Sequence, residues 1–291
     1  KTIGMSVSLA LGSWLISKYN YTSAILALAA IIGLIMLMPL FTTERENEKL
    51  APWSKGKASN ETKILQLDNW FTIFKSLFQV FTLRNSLMIA IILFISQGAF
   101  KYISTLLPIF TVKELGWTNV TYSQYYATAK LIGGITGMLL GGILIEWFGK
   151  KRMLNIYFIG LMILTSSFVF FKTYWGNMYF IYSFMIVYNI IYTITSICLF
   201  AIAMQCCWKK VSASQFTLYM TIANLGQIAL AAFIGPIKAQ FDWQITIWAF
   251  AIMIAVVWVL LQFLKINKQI AKVAELERKD LDSNLFKMAA D

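Results

Sequence analysis

The feature that most constrains the fold is a succession of long apolar segments separated by short polar ones. A helix that crosses a membrane needs about 20 mostly apolar residues. The candidate spans lie at about 3–17, 23–41, 86–110, 123–146, 153–171, 178–205, 214–236 and 244–264. With 59% hydrophobic and 13% charged residues, the chain is also too apolar for an ordinary soluble protein. The sequence therefore predicts an all-α membrane protein.

The first span is short, and it begins almost at the first residue, Lys1. We interpret the chain as a fragment whose N-terminal part is missing. No cleavable signal peptide is recognisable at this end.

Polar segments divide the apolar ones into two groups. Residues 42–68 are polar and predict a linker between two membrane halves, within a linker region of 42–85. Aromatic residues at helical spacing in 69–81 predict a helix lying in the membrane surface, with a helix packed on the bundle as the alternative. The stretch Pro108–Tyr122 predicts a longer loop, and the tail 265–291 begins as a helix with a highly charged later part.

The cations fall mainly on one side of the predicted membrane. Eight spans place Lys1, the linker, residues 149–152, Lys209 and Lys210, and the tail together, and these contain most of the 25 Lys and Arg residues. Cytoplasmic loops are enriched in Lys and Arg, so this side is predicted to be cytoplasmic. The formal charge of +12 thus follows membrane topology, and nucleic-acid binding is disfavoured.

Aromatic residues mark the other side of the membrane. The ends of spans there carry Tyr19, Tyr21, Trp117, Tyr174, Trp175 and Trp243. Tyr and Trp are enriched where apolar core meets headgroups, so these residues predict an interfacial belt.

One turn on the cationic side carries a recognisable pattern. A glycine-rich helix, including Gly141 and Gly142, ends in Glu146, and Gly149 follows with three consecutive cations, Lys150 to Arg152. Glycines allow close helix approach in lipid, and Gly149 suits a positive φ. Glu146 lies near the helix end, where it can cap the positive N-terminus of a neighbouring helix or pair with a cation.

This turn resembles the loop motif of the major facilitator superfamily, G-x-L-a-D-R-x-G-R-K. Five residues fall on the pattern, namely Gly142, Leu144, Gly149, Lys150 and Lys151. Glu146 stands where the motif has Asp, and Trp147 where it has Arg. We therefore expect Gly142, Glu146, Gly149, Lys150 and Lys151 to act in the conformational change. In facilitators the loop acid of one half meets a helix of the other half, so the resemblance also implies that Glu146 lies close to the backbone around Lys1–Met5.

The resemblance implies a 12-span fold of two six-helix halves, with the substrate between them near the midplane. The spans of this chain would then be helices 5 to 12. Residues 1–41 would supply the last two helices of the N-terminal bundle, 86–264 the C-terminal six-helix bundle, and 265–291 a cytoplasmic tail.

Within the superfamily, residues 86–264 resemble the muropeptide permease (AmpG-like) family, which is similar to acetyl-CoA and some siderophore transporters. The resemblance rests on Lys130 upstream of Gly133–Gly137, on Gly141–Leu144, and on Ser212–Leu218. The family often has K-x-G-D where this chain has Ser96-Gln97-Gly98-Ala99. The resemblance implies proton-coupled transport of an organic anion or muropeptide-like metabolite across the inner membrane.

The only charges deep in the spans are Lys101 and Lys130. A cation in the hydrocarbon costs about 2.5–3.5 kcal/mol, so such residues indicate a functional site; snorkelling to the interface is the alternative. We place each roughly 10 Å below the outer helix end by the helical rise, hence at the same level. Together they predict a site for the anionic part of a substrate.

Four uncharged polar residues in the spans are the further candidates for substrate binding, Gln97, Asn189, Asn224 and Gln227. Each could equally join helices by hydrogen bonds. Glycines 133, 134, 137 and 141 share one stripe with Lys130, which predicts close helix packing.

The sequence gives little support to catalysis or metal binding. The chain has no His, and its three Cys residues have no metal-ligand spacing and are expected to be packing residues. We predict no catalytic residues, metal site or cofactor, and a monomer in the lipid bilayer. A non-transporting receptor or scaffold of the same fold remains the alternative.

Overall fold

The computed structural model describes residues 2–38 and 70–290, which are almost wholly helical and include no strand. The helices are α1 (Thr2–Lys18), α2 (Tyr21–Leu37), α3 (Trp70–Phe81), α4 (Arg84–Lys113), α5 (Asn119–Phe148), α6 (Lys150–Phe170), α7 (Met178–Gln205), α8 (Ser212–Ala232), α9 (Ile234–Gln240), α10 (Trp243–Phe263) and α11 (Ile266–Ala290). Short 3₁₀ turns occur at Lys172–Tyr174 and Lys209–Val211. The predicted linker core, residues 42–68, lies outside the described residues.

Six helical runs in the described residues are long and apolar enough to cross a membrane. They are α4, α5, α6, α7, the run Lys209–Gln240 that contains α8 and α9, and α10. The all-α membrane fold is therefore confirmed. The helices α1 and α2 have 17 residues each, or about 25 Å, and their crossing stays a prediction.

The six runs share two ends, which we call the basic end and the opposite end. The basic end carries Arg84, residues 150–152, Lys209, Lys210 and Lys265, whereas the opposite end carries the connections at residues 19–20, 114–118, 171–177 and 241–242. At the opposite end, side chains cap the N-termini of two helices. Asn20 Oδ1 accepts a hydrogen bond from the Ser23 amide at 2.8 Å, and Thr118 Oγ1 accepts one from the Thr121 amide at 3.1 Å.

The predicted loop from Pro108 to Tyr122 is mostly helical. The helix α4 continues through Pro108 to Lys113, and α5 begins at Asn119. Proline is tolerated in membrane helices because other groups satisfy the freed backbone. The Thr111 hydroxyl donates to the carbonyls of Leu107 at 3.0 Å and Pro108 at 3.2 Å, within the helical turn that follows the proline.

The predicted span 214–236 is interrupted instead. The helix α8 ends at Ala232, and after Phe233 the short α9 begins at Ile234. Pro236 lies in the first turn of α9, where a backbone N–H would have no partner within the helix. The proline therefore marks the start of a new helix.

Glycines set the closest helix contacts. A Cβ at Gly226 of α8 would lie 2.0 Å from the carbonyl oxygen of Phe94 on α4, and one at Gly98 would lie 2.5 Å from that of Gly226. A Cβ at Gly133 of α5 would lie 2.7 Å from the backbone of Asn189 on α7. The packing role predicted for the α5 glycines is therefore confirmed at Gly133, and the α4–α8 crossing is a second case. Other contacts join α1 to α5 and α6 to α10.

An aromatic cluster closes the opposite end. Phe110 contacts Trp175 and Trp243 with centroid distances of 4.9 and 5.3 Å. Trp175 is buried, and its Nε1 donates to the Phe168 carbonyl at 2.8 Å. The prediction that Trp175 belongs to an interfacial belt is therefore wrong, because its ring packs between helices.

A small second core covers part of the basic end. Val80 of α3, Trp208 and Val273 of α11 are buried together. The other side of α3 exposes Phe74 and Phe78. The helix predicted at 69–81 is therefore present as α3, and it packs on the bundle with one side while it presents aromatic rings on the other.

Candidate functional site

Lys130 lies in the middle of α5 and is nearly enclosed. Its side chain is 7% exposed, and its Nζ lies 5.2 Å from the ring centroid of Tyr126, one turn away. It follows Asn119, the start of α5, by 11 residues, or about 16 Å of helical rise. The predicted depth of roughly 10 Å was too small because α5 begins earlier than expected.

Lys101 is at a similar level on α4 but is exposed. It precedes the end of that helix at Lys113 by 12 residues, or about 18 Å. Gly98 of the same helix faces α8, and Gln97 and Phe100 contact α7. Lys101 therefore lies on the strip of α4 between α7 and α8, where its ammonium group is accessible.

Tyr126, the ring beside Lys130, belongs to a group of four tyrosines on two helices. On α5, Tyr126 stacks on Tyr122 at 5.2 Å between centroids; on α7, Tyr188 stacks on Tyr192 at 6.0 Å. The four side chains are near enough to interact electrostatically across the two helices. The face of a tyrosine ring attracts a cation, so the Tyr126 ring stabilises the charge of Lys130.

The α7 tyrosines are fixed by α4. Tyr192 contacts Phe100 edge to face at 4.9 Å, and the Tyr188 hydroxyl donates to the Phe100 carbonyl at 3.3 Å. One turn further along, Gln97 Nε2 donates to Ser196 Oγ at 3.5 Å. Gln97 is buried at the α4–α7 contact, so one of its hydrogen bonds joins these helices.

Asn189 is fully buried beside Gly133. Its Nδ2 donates to the Met185 carbonyl at 2.8 Å, but its Oδ1 has no hydrogen-bond partner in the described part of the chain. The same holds for the Tyr122 hydroxyl. Buried polar atoms are usually hydrogen-bonded, to protein or to bound molecules, so both atoms are available to a polar molecule.

The two candidates on α8 stand apart from this group. The side chain of Asn224 is exposed and that of Gln227 is half-buried, and Gln227 Nε2 lies 3.5 Å from Asn224 Oδ1. Asn224 lies two residues before Gly226, which faces α4, and Gln227 directly follows it. They share the accessible surface of α8 and make no contact with Lys130 in the described chain.

The glycine-and-cation turn has the predicted backbone. Gly149 has φ +81° and separates α5 from α6. Lys150 Nζ donates to Gln205 Oε1 at 2.6 Å, and Lys151 Nζ donates to the Leu264 carbonyl at 2.8 Å. The two lysines thereby join the start of α6 to the ends of α7 and α10.

Two motif residues are less constrained. Gly142 has open space where a Cβ would stand. Glu146 is exposed and makes no hydrogen bond or ion pair with a described side chain. Lys1 lies outside the described residues, so the capping of α1 by Glu146 stays a prediction.

Four residues of this group carry no charge and are not predicted from the sequence as site residues, namely Tyr122, Tyr188, Tyr192 and Ser196. Their signal was the four-residue spacing of Tyr122, Tyr126 and Lys130, repeated in Tyr188, Tyr192 and Ser196, which puts three polar groups on one helix face.

Among the described residues, no group of three His, Cys, Asp or Glu could hold a metal ion.

The comparison with known proteins identifies the family. Residues 2–231 match the family model of the Major Facilitator Superfamily, which is well over half of the chain. No curated protein matches the sequence. The matched region contains α1 to α7 and almost all of α8, and it therefore includes Lys101, Lys130 and the Gly149 turn. The chain thus belongs to the major facilitator superfamily and is a multi-pass secondary transporter of small molecules.

Proposed function

We propose that the protein moves an organic anion, in the AmpG-like case a muropeptide-like metabolite, by proton-coupled alternating access across the inner membrane. The observation that carries this proposal is Lys130, 7% exposed and near the middle of a membrane-spanning helix. A cation at that depth costs at least about 2.5–3.5 kcal/mol by insertion scales. A role in binding accounts for its retention.

The charge balance of the spans favours an anion. Lys101 and Lys130 lie at a similar level, while the only Asp or Glu within the described membrane-spanning helices is Glu146 at the end of α5. Two cations facing one cavity repel each other, and an anion between them removes the repulsion. A Lys ammonium meets carboxylate or phosphate as a point charge.

The helices α4, α5, α7 and α8 would form one wall of the cavity. Gln97, Asn189, Asn224 and Gln227 are the candidate hydrogen-bonding groups, and the free Oδ1 of Asn189 is the best placed for a donor on the substrate. The opposing wall would come from the other half of a 12-span fold, in which α1 and α2 correspond to helices 5 and 6 and the remaining spans to helices 7 to 12.

The proposal also includes an orientation in the membrane and an oligomeric state. The linker and the C-terminus are cytoplasmic, because the basic end carries most cations. The transporter works as a monomer. The motif residues Gly142, Glu146, Gly149, Lys150 and Lys151 act in the change between inward-open and outward-open states.

The test is uptake of a labelled muropeptide by vesicles that contain the full-length protein. Loss of a hydrogen bond to a charged group costs about 1.5–3 kcal/mol, so Lys130→Gln should raise KM roughly 10- to 100-fold. Lys101→Gln should have a smaller effect, because Lys101 is exposed. The matched control is Lys113→Gln, which removes an exposed cation at the opposite end of α4.

Unchanged KM in Lys130→Gln, with expression equal to that of the unsubstituted protein, would show that the site is assigned wrongly. Absence of uptake by the unsubstituted protein would instead contradict the muropeptide class. Uptake of any solute, driven by a proton gradient, would separate the transporter from a receptor of the same fold.

A further inference from the structure

A pocket of about 730 Å³ opens at the basic end of the bundle. It lies between the start of α6, the end of α7 and the junction of α10 with α11. Its lining consists of Ile145, Gly149, Lys150, Lys151, Arg152, Gln205, Leu264, Lys265, Ile266, Asn267 and Lys268. The pocket is remote from Lys130, which is near the middle of α5, and belongs to a different part of the molecule.

The lining is strongly cationic. It contains five Lys and Arg side chains and no Asp or Glu. Two of the cations are held by neutral oxygens, Lys150 by Gln205 Oε1 at 2.6 Å and Lys151 by the Leu264 carbonyl at 2.8 Å. Neutral oxygens leave the positive charge uncompensated, so the pocket concentrates a positive potential in a concave surface.

Two helix starts add to this potential. The helix α6 begins at Lys150 without a side-chain cap, and α11 begins at Ile266; both starts line the pocket. The N-terminus of a helix carries partial positive charge and unpaired N–H groups. Both the side chains and the backbone of the pocket therefore suit an anion with several oxygens.

Exposed aromatic residues lie close in sequence to the pocket lining. Trp147, two residues before Gly149, is 76% exposed, and Phe263, directly before Leu264, is 60% exposed. Both lie at the ends of membrane-spanning helices. A molecule with an anionic head and apolar chains would satisfy both the cations and these rings, whereas free phosphate would use only the cations.

We propose that this pocket binds the phosphate headgroup of an anionic membrane phospholipid, with its acyl chains along the exposed ends of α5 and α10. Basic pockets between membrane helices are suited to such headgroups. The occupant joins the start of α6 to the start of α11 through its phosphate oxygens, and so stabilises the connection between the bundle and its C-terminal helix.

The experiment uses the full-length protein in phosphatidylcholine nanodiscs that contain a trace of dansyl-labelled phosphatidylglycerol, with energy transfer from tryptophan as the signal. The test variant is Lys265→Gln with Lys268→Gln. Each cation near the membrane surface contributes about fivefold to the binding of anionic lipid, so the double variant should weaken it about 25-fold. The matched control is Lys272→Gln with Arg278→Gln, two exposed cations further along α11 that lie outside the pocket.

Arg152→Gln tests the pocket from a second helix and should weaken binding about fivefold. Equal loss of binding in the test and control pairs would overturn the proposal, because the effect would then follow net charge alone. Unlabelled phosphatidylglycerol should displace the probe and phosphatidylcholine should not. Displacement by inorganic phosphate at the same concentration as by phosphatidylglycerol would identify a soluble phosphate site and contradict the lipid assignment.

Discussion

The crossing of α4 and α8 at Gly226 gives the sharpest prediction of stability. In Gly226→Ala the new Cβ would lie 2.0 Å from the Phe94 carbonyl oxygen, and 2.7 and 2.9 Å from the carbonyl carbon and Cα of that residue. All three atoms are backbone, so no side chain can rotate away. Restoring a separation near 3.4 Å requires the helices to part by roughly 1.4 Å.

Overpacking of a membrane core costs about 1–3 kcal/mol, and we expect the upper value of about 3 kcal/mol here because the obstacle is backbone. At about 2–4 °C per kcal/mol, the apparent melting temperature should fall by roughly 6–12 °C. The measurement is thermal unfolding of the purified protein in detergent, followed by size-exclusion fluorescence.

The matched control is Gly160→Ala on α6. A Cβ at Gly160 would lie 3.8 Å from Ile191 Cδ1, which is an ordinary contact. Alanine also lowers the entropy of the unfolded chain, so this variant should melt at or slightly above the unsubstituted temperature. Melting of Gly226→Ala within 1 °C of Gly160→Ala, a margin set by the roughly 2–4 °C expected per kcal/mol, would refute the close crossing of α4 and α8.

The remaining predictions concern the buried thiol of Cys206 and the membrane topology. Burial raises the pKa of Cys206 to about 11 from 9.0, against a smaller lowering by Lys150, so at pH 8 the folded thiol should hold roughly 100-fold less thiolate than an ordinary one. Iodoacetamide should therefore label it only after unfolding. The stabilisation that Cys206 contributes as a neutral thiol should be complete below pH 9 and decline as the pH rises to about 11, so the melting temperature should fall more steeply with pH than in Cys206→Ala. The topology is checked in cells with the separate substitutions Lys113→Cys and Lys55→Cys. A membrane-impermeant maleimide added outside should label the cysteine at position 113 and not the one at position 55. Labelling at position 55 would show that the orientation is the reverse of the one proposed.

The spans were predictable because each needs only an apolar run of sufficient length. The ends of the spans were less predictable. Pro108 suggested a helix end, yet α4 continues past it to Lys113, as membrane helices can. Pro236 did mark an end, because it lies in the first turn of a new helix. Proline alone could not tell the two cases apart.

The site could be predicted in part. Lys130 was evident as a cation in an apolar run, and Gly133 as a packing residue. The sequence could not predict that Lys130 is buried while Lys101 is exposed, because this depends on which side of each helix faces a neighbouring helix. The tyrosines of α7 were equally hidden, because aromatic residues occur throughout the chain and only tertiary contacts with Phe100 distinguish them.

Pro108 has a mechanical consequence for α4. The part of the helix before it is fixed to α8 at Gly98, and the part after it is fixed at Phe110 to Trp175 and Trp243. Because Pro108 has no N–H to donate to the Ser104 carbonyl, the helix can bend at this point without breaking that backbone hydrogen bond. Pro108 thus lowers the cost of bending α4 between its contact with α8 at Gly98 and the aromatic cluster at Phe110. The Tyr102 hydroxyl, which donates to the Thr246 carbonyl at 2.8 Å, limits such a bend because it also holds the first part of α4 to α10.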